Sequence, residues 1–369
     1  IARNNLALTH QDAGSLQKAL DMHQALLADC TRVFGPNHPH TLTARSNLAT
    51  AYQEAGNLST AIDMHQALLA DCTRILGPDH PRTLTARNSL ADAYRQAGHV
   101  FTAIDMFEDL LPDMTRLLGP DHPHTLTVRN NLANAHYAAG DLQKAIAMHQ
   151  ALLTDRTRLL GPDHPDTLNT RNNLAGAHLN AGDLQQAIDM YEALQTDQTR
   201  VLGSDHLRTL TAQNNLALAY QKAGNLRKAM DMFEALIPDL VGILGSDHPL
   251  TLAARNNLAA AYWEAGNTSK AINEYNALIP DLAYALGSDH PHTLAARNNL
   301  AYVYYAADNL QIAVEMYENL VPDLINVFGP NHPHALAAQG NLAAVRKKTQ
   351  QASSPQADGE AESAPPPES

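Results

Sequence analysis

The chain repeats itself every 42 residues, and that period constrains the fold more than any other feature. Gly35, Gly77, Gly119, Gly161, Gly203, Gly245, Gly287 and Gly329 keep the spacing, and a second series runs Gly14, Gly56, Gly98, Gly140, Gly182, Gly224 and Gly266. A fixed period of this length marks an array of stacked units, each touching only its neighbours and together burying a continuous core. A length of 369 residues ordinarily suggests two or three globular domains, but the period implies one elongated domain. Any binding surface is then expected on equivalent positions of successive units, not in a single pocket.

Within one unit, Leu42, Leu48, Ala49, Ala51 and Tyr52 recur at helical spacing until Gly56 interrupts. This is helix A. Gly56 can adopt the left-handed conformation that ends a helix, and Asn57 can accept a hydrogen bond from a free amide of the next one. Helix B follows through Leu58, Ala61, Ile62, Met64, Leu68, Leu69, Ile75 and Leu76. Gly77 and Pro78 stop it, and Pro81 suits the first turn of the next helix A, where a missing amide hydrogen leaves nothing unpaired. Eight A/B pairs fit before Gly329, and a ninth helix A over residues 333–349 carries Arg346, Lys347 and Lys348 where earlier units carry a tyrosine. A polar outer face is what stops such a stack from adding units, so this helix is expected to be a cap. Residues 350–369, rich in Ser, Pro, Ala and Glu, bury too little surface to order and are expected to form a disordered acidic tail. Pro112, Pro238, Pro280 and Pro322 fall late in helix B, where proline removes a backbone donor and crowds the preceding turn; a kink or a break into two segments is expected there.

The net charge of -13 comes with scattered, not clustered, basic residues, which disfavours a nucleic-acid partner. No apolar run reaches the roughly 18 residues of a membrane span, and no signal peptide precedes the first unit. Cys30 and Cys72 hold equivalent positions one repeat apart, roughly 10 Å by helix packing and too far to bridge; two reduced thiols fit a cytoplasmic protein. The chain opens at Ile1, inside what already reads as helix A, and is expected to be a fragment.

The pattern L-A-x-A-Y-x-x-A-G-N/D-L-x-x-A-I, carried by Leu48, Ala49, Ala51, Tyr52, Ala55, Gly56, Asn57, Leu58, Ala61 and Ile62, resembles the tetratricopeptide repeat. The L-G-x-x-H-P linker at Leu76, Gly77, His80 and Pro81 is similar to the kinesin light chain type, and the resemblance covers residues 1–349. It implies an all-α fold, a right-handed α-solenoid of antiparallel helix pairs, with helix A on the concave side and helix B on the convex side. The phrasing T-L-x-A-R-N-N-L-A over residues 251–259 is similar to bacterial, notably actinobacterial, arrays that follow a nucleotide-hydrolysing domain of the NB-ARC type. The resemblance therefore allows an N-terminal ATPase domain as a partner. The phosphate-binding motif G-x-x-x-x-G-K-[ST] does not occur in this chain.

By the same resemblance, the groove positions lie thirteen, ten, nine, six, three and two residues before the Gly that ends helix A. Steps of mostly three and four residues do place them on one helical face. The ninth is Asn5, Asn47, Asn131, Asn173, Asn215, Asn257 and Asn299, with Ser89 departing; the resemblance implies that this Asn bonds a peptide backbone. The tenth is Asn4, Asn88, Asn130, Asn172, Asn214, Asn256 and Asn298, with Ser46 departing. An amide that both donates and accepts suits an extended peptide; alternatively these residues bond the neighbouring helix and hold repeat spacing. Specificity is expected from columns that vary, where Tyr137, Trp263, Tyr302 and Tyr305 supply aromatic surface of the kind that anchors interfaces.

Repeated columns argue against other chemistry. The linker histidines, His38 to His332 at the repeat period, cannot converge on one metal ion and are expected to cap helices. His10, His136 and His178 stand in the tyrosine column and are expected to be core residues with one hydrogen bond. Arg45, Arg87, Arg129, Arg171, Arg255 and Arg297 recur on helix A, and Asp29, Asp71, Asp113, Asp155, Asp197, Asp239, Asp281 and Asp323 on helix B; ladder salt bridges between helices are expected, and an arginine row for acidic ligands is the alternative. No nucleophile elbow, H-E-x-x-H or C-x-x-C occurs, so no catalysis and no cofactor is expected. The reading is a non-catalytic scaffold for a protein or extended peptide, with a regulatory arm of an NB-ARC-type ATPase or a cargo adaptor of kinesin light chain type as alternatives.

Overall fold

A computed structural model describes residues 5–7, 9 and 16–353. Asn4, His10, Gly14 and the residues after 353 lie outside the described residues. Sixteen helices follow one another among the described residues. The B helices are α1 (Leu16–Phe34), α3 (Leu58–Leu76), α5 (Val100–Leu118), α7 (Leu142–Leu160), α9 (Leu184–Leu202), α11 (Leu226–Leu244), α13 (Thr268–Leu286) and α15 (Leu310–Phe328). The A helices are α2 (Pro39–Glu54), α4 (Pro81–Gln96), α6 (Pro123–Ala138), α8 (Pro165–Ala181), α10 (Leu207–Lys222), α12 (Pro249–Glu264), α14 (Pro291–Ala306) and α16 (Pro333–Ser353).

Local chemistry sets each boundary. Helix A ends where the Asn57 amide reaches back to the Tyr52 carbonyl at 2.9 Å, a closure that puts Gly56 at φ 76°. Helix B ends differently. Gly77 has φ 90° and ψ 162°, an extended conformation on the positive-φ side that is essentially confined to glycine. Every linker histidine then caps the following helix A: Nδ1 of His38, His80, His122, His164, His206, His248, His290 and His332 accepts from the backbone N–H two residues on, at 3.1–3.2 Å. The expected linker cap is what the structure contains.

The core is spread along the array. Ala49, Ala91, Ala133, Ala175, Ala217, Ala259 and Ala301 on the A helices, and Ala61, Ala103, Ala145, Ala187, Ala229, Ala271 and Ala313 on the B helices, are fully buried. Only a methyl group fits where helices approach this closely, so the alanine columns set the spacing. Leu48, Leu90, Leu132, Leu174, Leu216, Leu258 and Leu300 fill the space beside them. Each A helix also touches the next A helix, whereas among the described residues no two B helices make comparable contact. The stack therefore curves with its A helices on the inside, giving an all-α repeat superhelix.

The expected ladder of ion pairs is present. Arg45, Arg87, Arg129, Arg171, Arg255 and Arg297 each donate to the aspartate 26 residues on, at 2.6–2.8 Å. Both partners are partly shielded, which makes the pair a register lock between helices A and B more than a source of stability. His178 makes two bonds, to Asp183 at 2.9 Å and Gln186 at 3.3 Å, not the single bond expected.

Two expectations change. Pro112, Pro238, Pro280 and Pro322 break nothing: α5, α11, α13 and α15 each run 19 residues, as α3, α7 and α9 do. All four prolines are exposed, while the opposite face of each helix stays packed. Arg346 of the cap helix, for its part, is more than a polar terminus. It donates to Glu318 at 2.6 Å across 28 residues, the slot in which Tyr262 donates to Glu234 at 2.8 Å. The cap keeps the interhelix contact and changes the group that makes it.

Candidate peptide-binding groove

The inner face carries the two asparagine rows, and the structure joins them to each other. Asn131, Asn173, Asn215 and Asn257 donate through Nδ2 to Oδ1 of Asn88, Asn130, Asn172 and Asn214 of the preceding unit, at 2.9–3.2 Å. All eight are half-buried or buried, Asn130 and Asn214 most of all. Each bond uses one hydrogen of one amide and one lone pair of the other, out of two hydrogens and two lone pairs per side chain. The rows thus hold repeat spacing.

The ladder changes at the C-terminal end. The Asn299 side chain bonds the Tyr275 hydroxyl instead, and Asn341 donates to the Tyr317 hydroxyl at 3.2 Å. Oδ1 of Asn256, the next expected rung, is shielded from solvent with no partner. Asn256 and Asn257 line a cleft with Leu252, Leu282 and His292. Sequence reasoning missed Tyr275 and Tyr317 as rivals for the amides. The available signal was the B-helix column His23, His65, Phe107, His149, Tyr191, Phe233, Tyr275, Tyr317, which carries a hydroxyl in both of its last two units.

The variable columns divide the face into two chemistries. Toward the N-terminal end, Asp92 accepts from Gln53 at 3.0 Å, Arg95 at 2.8 Å and Gln96 at 3.0 Å. Mid-array, Asn180 donates to the Tyr137 hydroxyl, and Lys222 donates to Asn180 at 2.6 Å, a chain across three units. Tyr137 is therefore part of a polar relay and not a bare aromatic anchor. Gln221 is 5% exposed, donates to Glu264 at 3.0 Å and leaves Oε1 without a partner.

Toward the C-terminal end the three aromatic residues do converge. Trp263 and Tyr302 meet edge-on with ring centroids 6.2 Å apart, and Tyr302 and Tyr305 at 6.3 Å, the geometry aromatic quadrupoles favour. Tyr302 is 44% exposed. Lys348 lies over the Tyr305 ring at 5.4 Å and pairs with Asp308 at 2.8 Å. Asn298 and Asn299 sit half-buried on the same helix. Asn47 lies at the equivalent site of α2, where it too is half-buried. Among the described residues no group of His, Cys, Asp or Glu side chains could hold a metal ion, and no helix is long and apolar enough to cross a membrane.

Family models described as tetratricopeptide repeat match residues 1–71, 47–112, 100–156, 130–195 and 178–238, and two further such models match 214–285 and 293–334. No curated protein matches the chain. A kinesin light chain protein with nearly identical TPR-like repeats from Podosopora anserina is 28% identical, over 55% of this chain and 95% of that one, with a TM-score of 0.47. A Rap protein complexed with competence and sporulation factor is 12% identical over 95% of this chain and 98% of that one, with a TM-score of 0.55. A tetratricopeptide repeat protein from Parabacteroides merdae is 14% identical over 83% and 98%, with a TM-score of 0.51. The last two share the fold.

Proposed function

The chain belongs to the tetratricopeptide repeat family, and on that premise we propose that it is a non-catalytic scaffold whose inner face binds an extended peptide or protein segment. The observation that carries the reading is the C-terminal end of the groove. There Trp263, Tyr302 and Tyr305 form an aromatic cluster on α12 and α14, Tyr302 exposed and the other two half-buried, and α12 also carries Asn256, whose amide oxygen has no partner. An aromatic anchor on the inner face suits a peptide that buries one side chain there. The asparagine rows extend that possibility along the face through Asn47, Asn131, Asn173, Asn215, Asn257 and Asn299, with Asn130, Asn172, Asn214 and Asn298 behind them. The Rap array, which shares this fold, was seen in complex with competence and sporulation factor.

The test is selection of binders from a random-sequence peptide library, followed by calorimetry. Trp263→Ala with Tyr302→Ala should weaken the selected peptides at least tenfold, with the helical circular dichroism unchanged. Undiminished affinity in that variant would overturn the proposal. The phrasing at residues 251–259 supports a second reading, a sensing arm of an NB-ARC-type ATPase. A phosphate-binding loop encoded upstream of Ile1 would sustain it, and a gene without one would end it.

A further inference from the structure

In the stacked array one edge of the ribbon is formed by the A-to-B turns and the other by the B-to-A linkers. These edges meet. Nε2 of His290, in the linker before α14, lies 3.3 Å from the backbone carbonyl oxygen of Glu54, 236 residues away at the end of α2. A Cβ added to Gly56 would come within 2.8 Å of Pro291 Cδ and 2.9 Å of His290 Cδ2. One period later on both sides, a Cβ on Gly98 would overlap the His332 ring. Two contacts displaced by the same 42 residues on each edge express the pitch of the superhelix; a chance approach of two loops would not repeat in register. At Gly140, Gly224 and Gly266, with φ of 82°, 78° and 77°, an added Cβ meets nothing within 4 Å.

Of the two seam histidines, His290 is 8% exposed and His332 half-buried. The His290 ring is also committed in its tautomer. Nδ1 accepts from the His292 N–H at 3.2 Å, so the ring hydrogen sits on Nε2 and points at Glu54. One imidazole caps its own helix and reaches the neighbouring turn of the superhelix.

We propose that these contacts are a seam that closes successive superhelical turns on one another, so that the inner face is enclosed and admits an extended chain only when the seam opens. The seam itself stands on the contacts alone; the statement about an extended chain rests on the groove reading above. A folded domain could not approach the inner face of α2 to α14 from the side while the seam is shut.

The experiment separates the two. Gly56→Gln with Gly98→Gln places side chains in the seam, and Gly140→Gln with Gly224→Gln imposes the same positive-φ strain where nothing is met. Small-angle X-ray scattering should show a larger maximum dimension for the seam pair and the wild-type dimension for the control pair. Identical dimensions in all three proteins would overturn the seam. As a readout independent of that strain, Glu54→Cys with His292→Cys, made in a Cys30→Ala, Cys72→Ala background, should be cross-linked within one chain by a short bismaleimide; failure to cross-link would also overturn it. With the cross-link in place, association of a library-selected peptide should slow more than tenfold. An unchanged rate would refute entry through the seam while leaving the seam intact, and loss of all peptide binding by the uncross-linked protein would instead refute the groove.

Discussion

His23, His65 and His149 occupy the B-helix column where other units place Phe or Tyr, and all three are 0–1% exposed. Neither ring nitrogen of His23 or His65 has a partner, nor has Nδ1 of His149. Burial pushes the His65 and His149 imidazoles down to about 4 from an ordinary 6.5, with Asp92 opposing the effect at His65 and Arg156 reinforcing it at His149. Because the folded value lies below the unfolded one, each site's contribution to stability is intact above pH 6.5 and is lost progressively as pH falls toward 4. A tenfold difference in proton affinity between the folded and unfolded chains is worth about 1.4 kcal/mol, so the loss totals roughly 3 kcal/mol per histidine across that window, and about 2 kcal/mol of it has gone by pH 5. Phe107 and Phe233 fill the same column fully buried, so His65→Phe with His149→Phe should pack without a polar group to desolvate. Urea denaturation followed by circular dichroism at pH 7.5 and pH 5.0 should show the wild type losing roughly 4 kcal/mol more than the double variant, the two sites lying two repeats apart and adding independently. An equal loss in both proteins would show that protonation of these rings does not drive the acid sensitivity.

Three further expectations follow from the packing. Pro238→Ala restores a backbone donor in an unbroken helix, and should raise stability by about 1–3 kcal/mol in the same assay; a destabilised variant would mean the ring is needed. His122→Ala removes the cap on α6 and should cost about 1 kcal/mol, detectable as a lower melting temperature. Arg171 is the first cause holding the Asp197 carboxyl below its usual range, so in Arg171→Gln the NMR titration of Asp197 should move up toward 3.8. The pair's contribution, about 1 kcal/mol, is present above pH 3.8 and lost as pH falls through the folded value.

What the sequence made legible was whatever repeats locally. The glycine series from Gly35 on, the linker-histidine caps and an Arg–Asp ladder all follow from spacings within one unit, and each appears in the structure. The break expected at the prolines does not occur, because helix propensity is a local cost and an exposed ring on an otherwise packed helix lets tertiary burial override it. The asparagine rows were visible as a pattern, but whether Asn173 faces Asn130 or a ligand depends on how closely two A helices approach, which the alanine columns set. Asn256 lost its partner because Tyr275 captures Asn299, a competition between two columns that neither reveals alone. The seam joins residues 236 positions apart and depends on the accumulated pitch of the array, which no local pattern encodes.

The central claim is that the inner face, above all its C-terminal aromatic end, is where a ligand binds. Hydrogen exchange followed by mass spectrometry, with and without a saturating library-selected peptide, tests it directly. The account expects added protection in α10, α12 and α14, strongest around Trp263 and Tyr302, with α11, α13 and α15 changing little on their outer faces. Protection concentrated on those B helices, with α12 and α14 unchanged, would contradict it.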